Sequence, residues 1–117
     1  MCRLIVTGSK NFNNYPLLKQ KLDDFLKDKD SDVVIVSGEA DGVETLSEKY
    51  AVERFYDICC FPIHWTKYGK KAAFIRNELM FNFANNCLIF WDGKSNDTGY
   101  TVGAAKKYGI EYKVIRY

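Results

Sequence analysis

Short apolar runs alternate with segments of helical spacing along the whole chain, and few folds accept that alternation. The runs are Arg3–Thr7, Val33–Ser37, Ile58–Phe61, Leu88–Phe90 and Tyr112–Ile115. The first two are nearly continuous and rich in β-branched residues, as strands buried on both faces of a parallel sheet are. Between the runs, Leu18, Leu22, Phe25 and Leu26 follow Pro16 at spacings of four, three and one, which places them on one helical face. Val43, Leu46 and Tyr50 share a face after Asp41, and Ile75, Leu79 and Phe83 share one after Lys71. Val102, Ala105 and Tyr108 do the same after Thr98, with Gly109 as the stop. The order β-α-β-α-β-α-β-α-β predicts a three-layer α/β fold with a mostly parallel five-stranded sheet and right-handed crossovers. Pro62–Lys70 is the one long irregular segment.

A chain of 117 residues supports one domain, 1–117, with one core. Eight Tyr, eight Phe and two Trp exclude a disordered chain. A net charge of +2 is too small to argue for nucleic acid or an anionic membrane as partner. No stretch approaches the ~20 apolar residues of a membrane span. Met1–Thr7 carries one Arg and a short apolar run without the long core of a signal peptide, so a cytoplasmic protein with reduced thiols is expected. Cys2, Cys59, Cys60 and Cys87 form no C-x-x-C, and the single His completes no ligand set, so neither a metal nor another cofactor is implied. Each Cys stands in an apolar run and reads as a small buried hydrophobe.

Parallel sheets bind ligands beyond the carboxyl ends of their strands, which directs attention to the loops that follow them. Three of the four begin with or soon reach a glycine: Gly8, Gly38 and Gly93. Thr7-Gly8-Ser9 offers N–H groups and a hydroxyl that suit a phosphate or ribose oxygen, or is a plain turn. No G-x-G-x-x-G is present, which disfavours standard dinucleotide binding. In Ser37–Glu44, Asp41 and Glu44 have the D-x-x-E spacing of a capping box, and Glu39 and Asp41 favour a ribose hydroxyl over an anion. Lys70, Lys71 and Arg76 gather near a helix start, where cations are disfavoured unless an anion joins them. Arg76 beside Asn77 reads either as a clamp for phosphate or carboxylate or as a tie between loops. Trp65 and Tyr68 suit stacking on a base or anchoring of their loop, and His64 before them has no nucleophile neighbour in sequence. In Trp91–Thr98, Ser95, Asn96 and Thr98 suit a phosphate, and Thr98 or Asp97 suits an N-cap. Gly99 and Gly103 on one helix face predict close packing on the sheet.

Together, Thr7-Gly8-Ser9-Lys10-Asn11-Phe12, Val36-Ser37-Gly38 with Asp41-Gly42, Trp65-x-x-Tyr68-Gly69 with Arg76-Asn77-x-x-Met80, and Trp91-Asp92-Gly93-Lys94-Ser95-x-x-Thr98 resemble the small YspA/YpsA-related branch of the SLOG superfamily. That resemblance implies a Rossmann-like fold and a nucleotide or nucleotide-derived ligand. More distant relatives are the "lonely guy" phosphoribohydrolases, which cleave nucleoside monophosphates, and the DNA-processing protein DprA. Arg76-Asn77 matches the Arg-Lys pair of the phosphoribohydrolases, and Asp92–Thr98 matches their phosphate loop. Their catalytic Glu after that loop has no counterpart, because Thr98-Gly99-Tyr100-Thr101-Val102 holds no carboxylate. Where the branch reads Ser-Gly-Gly-Ala-Arg-Gly-Ala-Asp, Glu39 stands for a Gly, Asp41 for the Arg and Glu44 for the Asp.

The first expectation is therefore a binding module, a sensor or sequestering protein for a nucleotide-like small molecule. Gly8, Ser9, Gly38, Glu39, Trp65, Tyr68, Arg76, Asn77, Asp92, Gly93, Ser95 and Thr98 would line its site. The second is a nucleoside-monophosphate N-glycosidase, with Arg76, Glu39, Glu44 and Asp92 as the candidate catalytic residues. The third, single-stranded nucleic acid binding by analogy to DprA, is disfavoured by the small net charge. A homodimer is expected from the supply of aromatics and from the pairing of related proteins.

Overall fold

The computed structural model describes residues 1–29 and 32–117, and of Asp97 the backbone alone. Strands β1 (Cys2–Gly8), β2 (Val33–Ser37), β3 (Asp57–Cys60), β4 (Asn86–Trp91) and β5 (Glu111–Arg116) form one sheet in the order β3-β2-β1-β4-β5. Every neighbouring pair is parallel, so the sheet is wholly rather than mostly parallel. The registers run Cys2 to Val33 on one side of β1 and Leu4 to Asn86 on the other.

Among the described residues five α-helices connect the strands: α1 (Tyr15–Leu26), α2 (Val43–Arg54), α3 (Trp65–Tyr68), α4 (Ala72–Phe83) and α5 (Asp97–Lys107). Successive side chains of a strand face opposite ways, and β1 shows how this builds three layers. Cys2, Leu4 and Val6 pack with Leu18, Leu22 and Leu26 of α1 and with Val43 and Tyr50 of α2. Ile5 faces the other layer, where Met80 and Phe81 of α4 and Ala105 of α5 cover the sheet. This is the expected three-layer Rossmann-like α/β fold.

Helix α1 begins where the sequence predicts. Asn14 Oδ1 accepts the Leu17 N–H at 3.2 Å, and Pro16 fills the first turn, where no N–H is needed. A polar clamp joins α1 to α2. Asp23 accepts hydrogen bonds from Arg54 Nε at 3.1 Å, Arg54 Nη2 at 2.7 Å and the hydroxyl of the fully buried Tyr50 at 2.6 Å.

Several expectations are corrected. Strand β3 lies one residue earlier than Ile58–Phe61 and is an edge strand covered little on either face, so Cys60 is exposed and Cys59 half-buried, while Cys2 and Cys87 are buried as expected. Pro62–Lys70 is not irregular throughout, because it contains α3 and leads into a 3-10 turn, Gly69–Lys71. On α4 the buried residues are Ala72, Met80 and Phe81, not the Ile75, Leu79 and Phe83 stripe. Gly99 and Gly103 pack against nothing among the described residues, since a Cβ on either would meet none of them. The N-cap of α5 is Asn96, so Thr98 lies inside the helix, and the alternative cap, the Asp97 side chain, lies outside the described residues. Among the described residues no helix is long and apolar enough to cross a membrane.

Candidate functional site

The chain leaves β1 toward β2 on one side and reaches β4 on the other. Neighbouring strands therefore send their connections apart, which opens a crevice beyond the carboxyl ends of β1 and β4. A cleft of about 410 Å³ occupies this position. Its apolar part comes from Ile5, Ile89 and Phe90 of the sheet with Met80 and Phe81 of α4. The polar groups converge from four places: Gly8, Ser9 and Lys10 after β1, Glu44 on α2, Arg76 and Asn77 on α4, and Asp92, Ser95, Thr98 and Thr101 after β4.

Of the residues expected from sequence, Gly8, Ser9, Glu44, Arg76, Asn77, Asp92, Ser95 and Thr98 are brought together here. Glu39, Trp65, Tyr68 and Gly93 are not part of the lining. Glu39 is exposed in a left-handed turn (φ +64°), and Trp65 stands 59% exposed on the short helix α3. Gly38 is buried behind the cleft wall, where a Cβ would run into the Arg76 guanidinium. Gly93 adopts φ +85°, and a Cβ there would come within 2.7 Å of Arg116, so its glycine serves the turn and this neighbour. Lys10, Ala40, Tyr100 and Thr101 are not among the expected site residues, yet they line the cleft. Lys10 stands two residues past Gly8 and Thr101 one helical turn past Thr98, so adjacency to predicted residues was the only signal for them.

Arg76 forms a tie between elements. Its Nη1 donates to the Gly38 carbonyl at 2.6 Å and its Nε to Asn77 Oδ1 at 2.8 Å, which pins the exit of β2 to α4. Nη2 has no partner among the described residues, so the same guanidinium keeps donors available at the cleft. The capping-box reading of Asp41 and Glu44 fails. The N-cap of α2 is Gly42, at φ +77°, and no side chain caps the helix. Glu44 turns inward instead, where its Oε1 accepts the Gly38 N–H at 2.6 Å. Burial pushes its carboxyl above the usual range; Glu48 adds to the shift, and the Gly38 N–H and Arg76 oppose it.

Asp92 organises its own loop. Its Oδ1 accepts the N–H groups of Ser95 and Lys94, each at 2.8 Å, and these hold its carboxyl below the usual range. Trp91 Nε1 donates to the Ser95 carbonyl at 2.9 Å and closes the same turn. The loop thus arrives at α5 with a fixed shape. Among the described residues no group of three or more His, Cys, Asp or Glu is placed to hold a metal ion.

A wholly parallel sheet in this order, with a polar-rimmed cleft at its switch point, defines a Rossmann-like α/β protein. The chain belongs to the YspA, cpYpsA-related SLOG family, whose profile matches residues 2–68. The coarse class that goes with membership is nucleotide-related binding or processing. The matched span runs from β1 through α3 and includes Ser9 and Glu44, whereas Arg76 and the Asp92–Thr98 loop lie beyond it. The chain is also similar to the Gene 61 protein of Mycobacterium phage D29, at 28% identity over 116 residues, which covers 94% of this chain and 93% of that protein. No solved structure matches.

Proposed function

We propose that the protein binds a nucleotide or nucleotide-derived small molecule in this cleft, as a sensor or sequestering module. The observation that carries the reading is the cleft itself. It lies at the switch point, its volume falls in the roughly 300–1,000 Å³ of small-molecule sites, and polar groups from four elements rim an apolar floor. Ser9 and the start of α5, whose N-cap provides no side-chain bond, suit the phosphate, since a helix N-terminus favours an anion. Met80 and Phe81 offer apolar surface to a base. Asp92 already spends one carboxylate oxygen on two N–H groups of its own loop, which supports binding over hydrolysis by that residue.

The test is mass spectrometry of small molecules released when the purified protein is denatured, followed by calorimetric titration with AMP. Retained nucleotide or measurable AMP binding is expected. Arg76→Ala should weaken AMP binding about tenfold or more, as loss of a charged hydrogen-bond donor does. Free base with ribose phosphate would favour the N-glycosidase instead. The absence of both retained nucleotide and AMP binding would overturn the proposal.

A further inference from the structure

We propose that Glu44 is a hydrogen-bond acceptor at the cleft wall that obliges the ligand to present a hydroxyl or amino hydrogen to it. The inference rests on the cleft being the ligand site and adds which chemistry it selects. Glu44 is only 7% exposed, yet it belongs to the cleft lining. Its Oε1 is taken by the Gly38 N–H at 2.6 Å. Arg76, the obvious partner for the other oxygen, is drawn away: Nη1 goes to the Gly38 carbonyl and Nε to Asn77. Oε2 therefore has no partner among the described residues. Among the described residues it is not one of the buried polar atoms sealed from solvent without a partner, and Glu44 lines the cleft, so we take its opening to be toward the cleft.

An ionised carboxylate only accepts hydrogen bonds. A phosphate oxygen, also an acceptor and also negative, is disfavoured opposite the ionised Oε2, so in this proposal the phosphate lies elsewhere in the cleft. A ligand with a donor there completes the carboxylate, whereas one without leaves a nearly buried charge unsatisfied, which is the costlier alternative. This asymmetry gives strong discrimination, since a site built for a hydrogen-bonding group rejects the analogue lacking it. In a nucleotide the donor is a ribose hydroxyl or an amino group of the base.

The test pairs ligand and protein changes. AMP is compared with 2′-deoxy-AMP, 3′-deoxy-AMP and the purine ribotide lacking the 6-amino group, on the wild type and on Glu44→Gln. The Gln carbonyl can still accept the Gly38 N–H, but its amide turns a donor toward the cleft. One analogue should bind wild type about tenfold or more weaker than AMP does. Glu44→Gln should lose a similar factor for AMP and little for that analogue, and the affected analogue identifies the donor. Equal binding of AMP and all three analogues to the wild type would overturn the inference and leave the proposed function standing. So would unchanged AMP binding by a folded Glu44→Gln where the analogue lacking the 6-amino group is the affected one, since a ribose hydroxyl, unlike that amino group, can also accept from the Gln amide. Absence of AMP binding to the wild type would overturn both. If Glu44→Gln does not fold, the wild-type comparison of analogues decides alone.

Discussion

Asp23 and Glu44 are both carboxylates that face an arginine, and the fold treats them in opposite ways. At Asp23, between α1 and α2, Arg54 and Tyr50 satisfy both oxygens. Hydrogen bonding to Arg54 is the leading cause that holds its carboxyl below the usual range. At Glu44, beside the cleft, one N–H satisfies one oxygen, the arginine serves a carbonyl instead, and burial pushes the carboxyl up. A carboxylate whose oxygens are all engaged fastens two helices. One left half-engaged at a cavity wall is poised to meet something that the chain does not supply.

The largest effect on the contrast between the two carboxylates comes from breaking the fastener. Asp23→Ala removes the acceptor of a fully buried tyrosine hydroxyl and strands Arg54, so it should cost about 1–3 kcal/mol in urea unfolding. AMP affinity of the folded protein should stay unchanged, because the clamp contributes nothing to the cleft lining. A loss of affinity equal to that of Arg76→Ala would show that the two regions are not independent.

Next comes the sign of the pH dependence. Asp23 has a native pKa below its unfolded value, so its contribution is present at neutral pH and is lost as pH falls through the native pKa. Glu44 has a native pKa above its unfolded value. The native state therefore holds more protons than the unfolded one from about pH 4.3 upward, and stability falls as pH rises through that window. The groups that bear on Glu44 are the Gly38 N–H and Arg76, which favour its charge, and Glu48, which opposes it; the buried thiol of Cys87 on β4, pushed up to about 12 chiefly by burial, feels Glu44 in turn. Urea midpoints measured from about pH 2 to 8 should show the wild type losing stability relative to Glu44→Gln as pH rises. The wild type should lose stability relative to Asp23→Asn as pH falls below about 4. Parallel curves for either pair would erase the contrast between the two carboxylates.

The fastener side was more legible in the sequence than the cleft side. Leu18, Leu22 and Leu26 repeat every four residues, and all three are buried. Gly8, Ser9, Arg76 and Thr98 were legible as cleft residues because each follows or faces a strand exit. The orientation of α4 was not. Its inward row is Ala72, Arg76 and Met80, again at intervals of four, and an arginine interrupts what would otherwise read as an apolar stripe. The uninterrupted row beside it, Ile75, Leu79 and Phe83, gives the stronger periodic signal, yet of the three only Phe83 packs against the core and Leu79 is exposed. Glu44 was legible as a candidate site residue, but its inward contact was hidden for a similar reason. The D-x-x-E spacing has a sufficient local explanation in capping, whereas the contact with Gly38 depends on β2 and α2 meeting in space.

The smallest effect tests that reading of α4. If the inward row is Ala72, Arg76 and Met80, then Leu79 points away from both the sheet and the cleft, and its 50% exposure follows. Leu79→Ser then removes a side chain that already pays for little burial, so the loss should stay within about 0.5 kcal/mol, the range of surface substitutions. Met80→Ala, one position along and almost fully buried, should cost about 2–5 kcal/mol by opening a cavity against the sheet. The ratio of the two measures the rotation of α4 about its own axis, and that rotation aims Arg76 at Gly38. Equal losses would mean that α4 buries the Leu79 row as well. The Arg76–Gly38 tie, and with it the half-engaged state of Glu44, would then have to be redrawn.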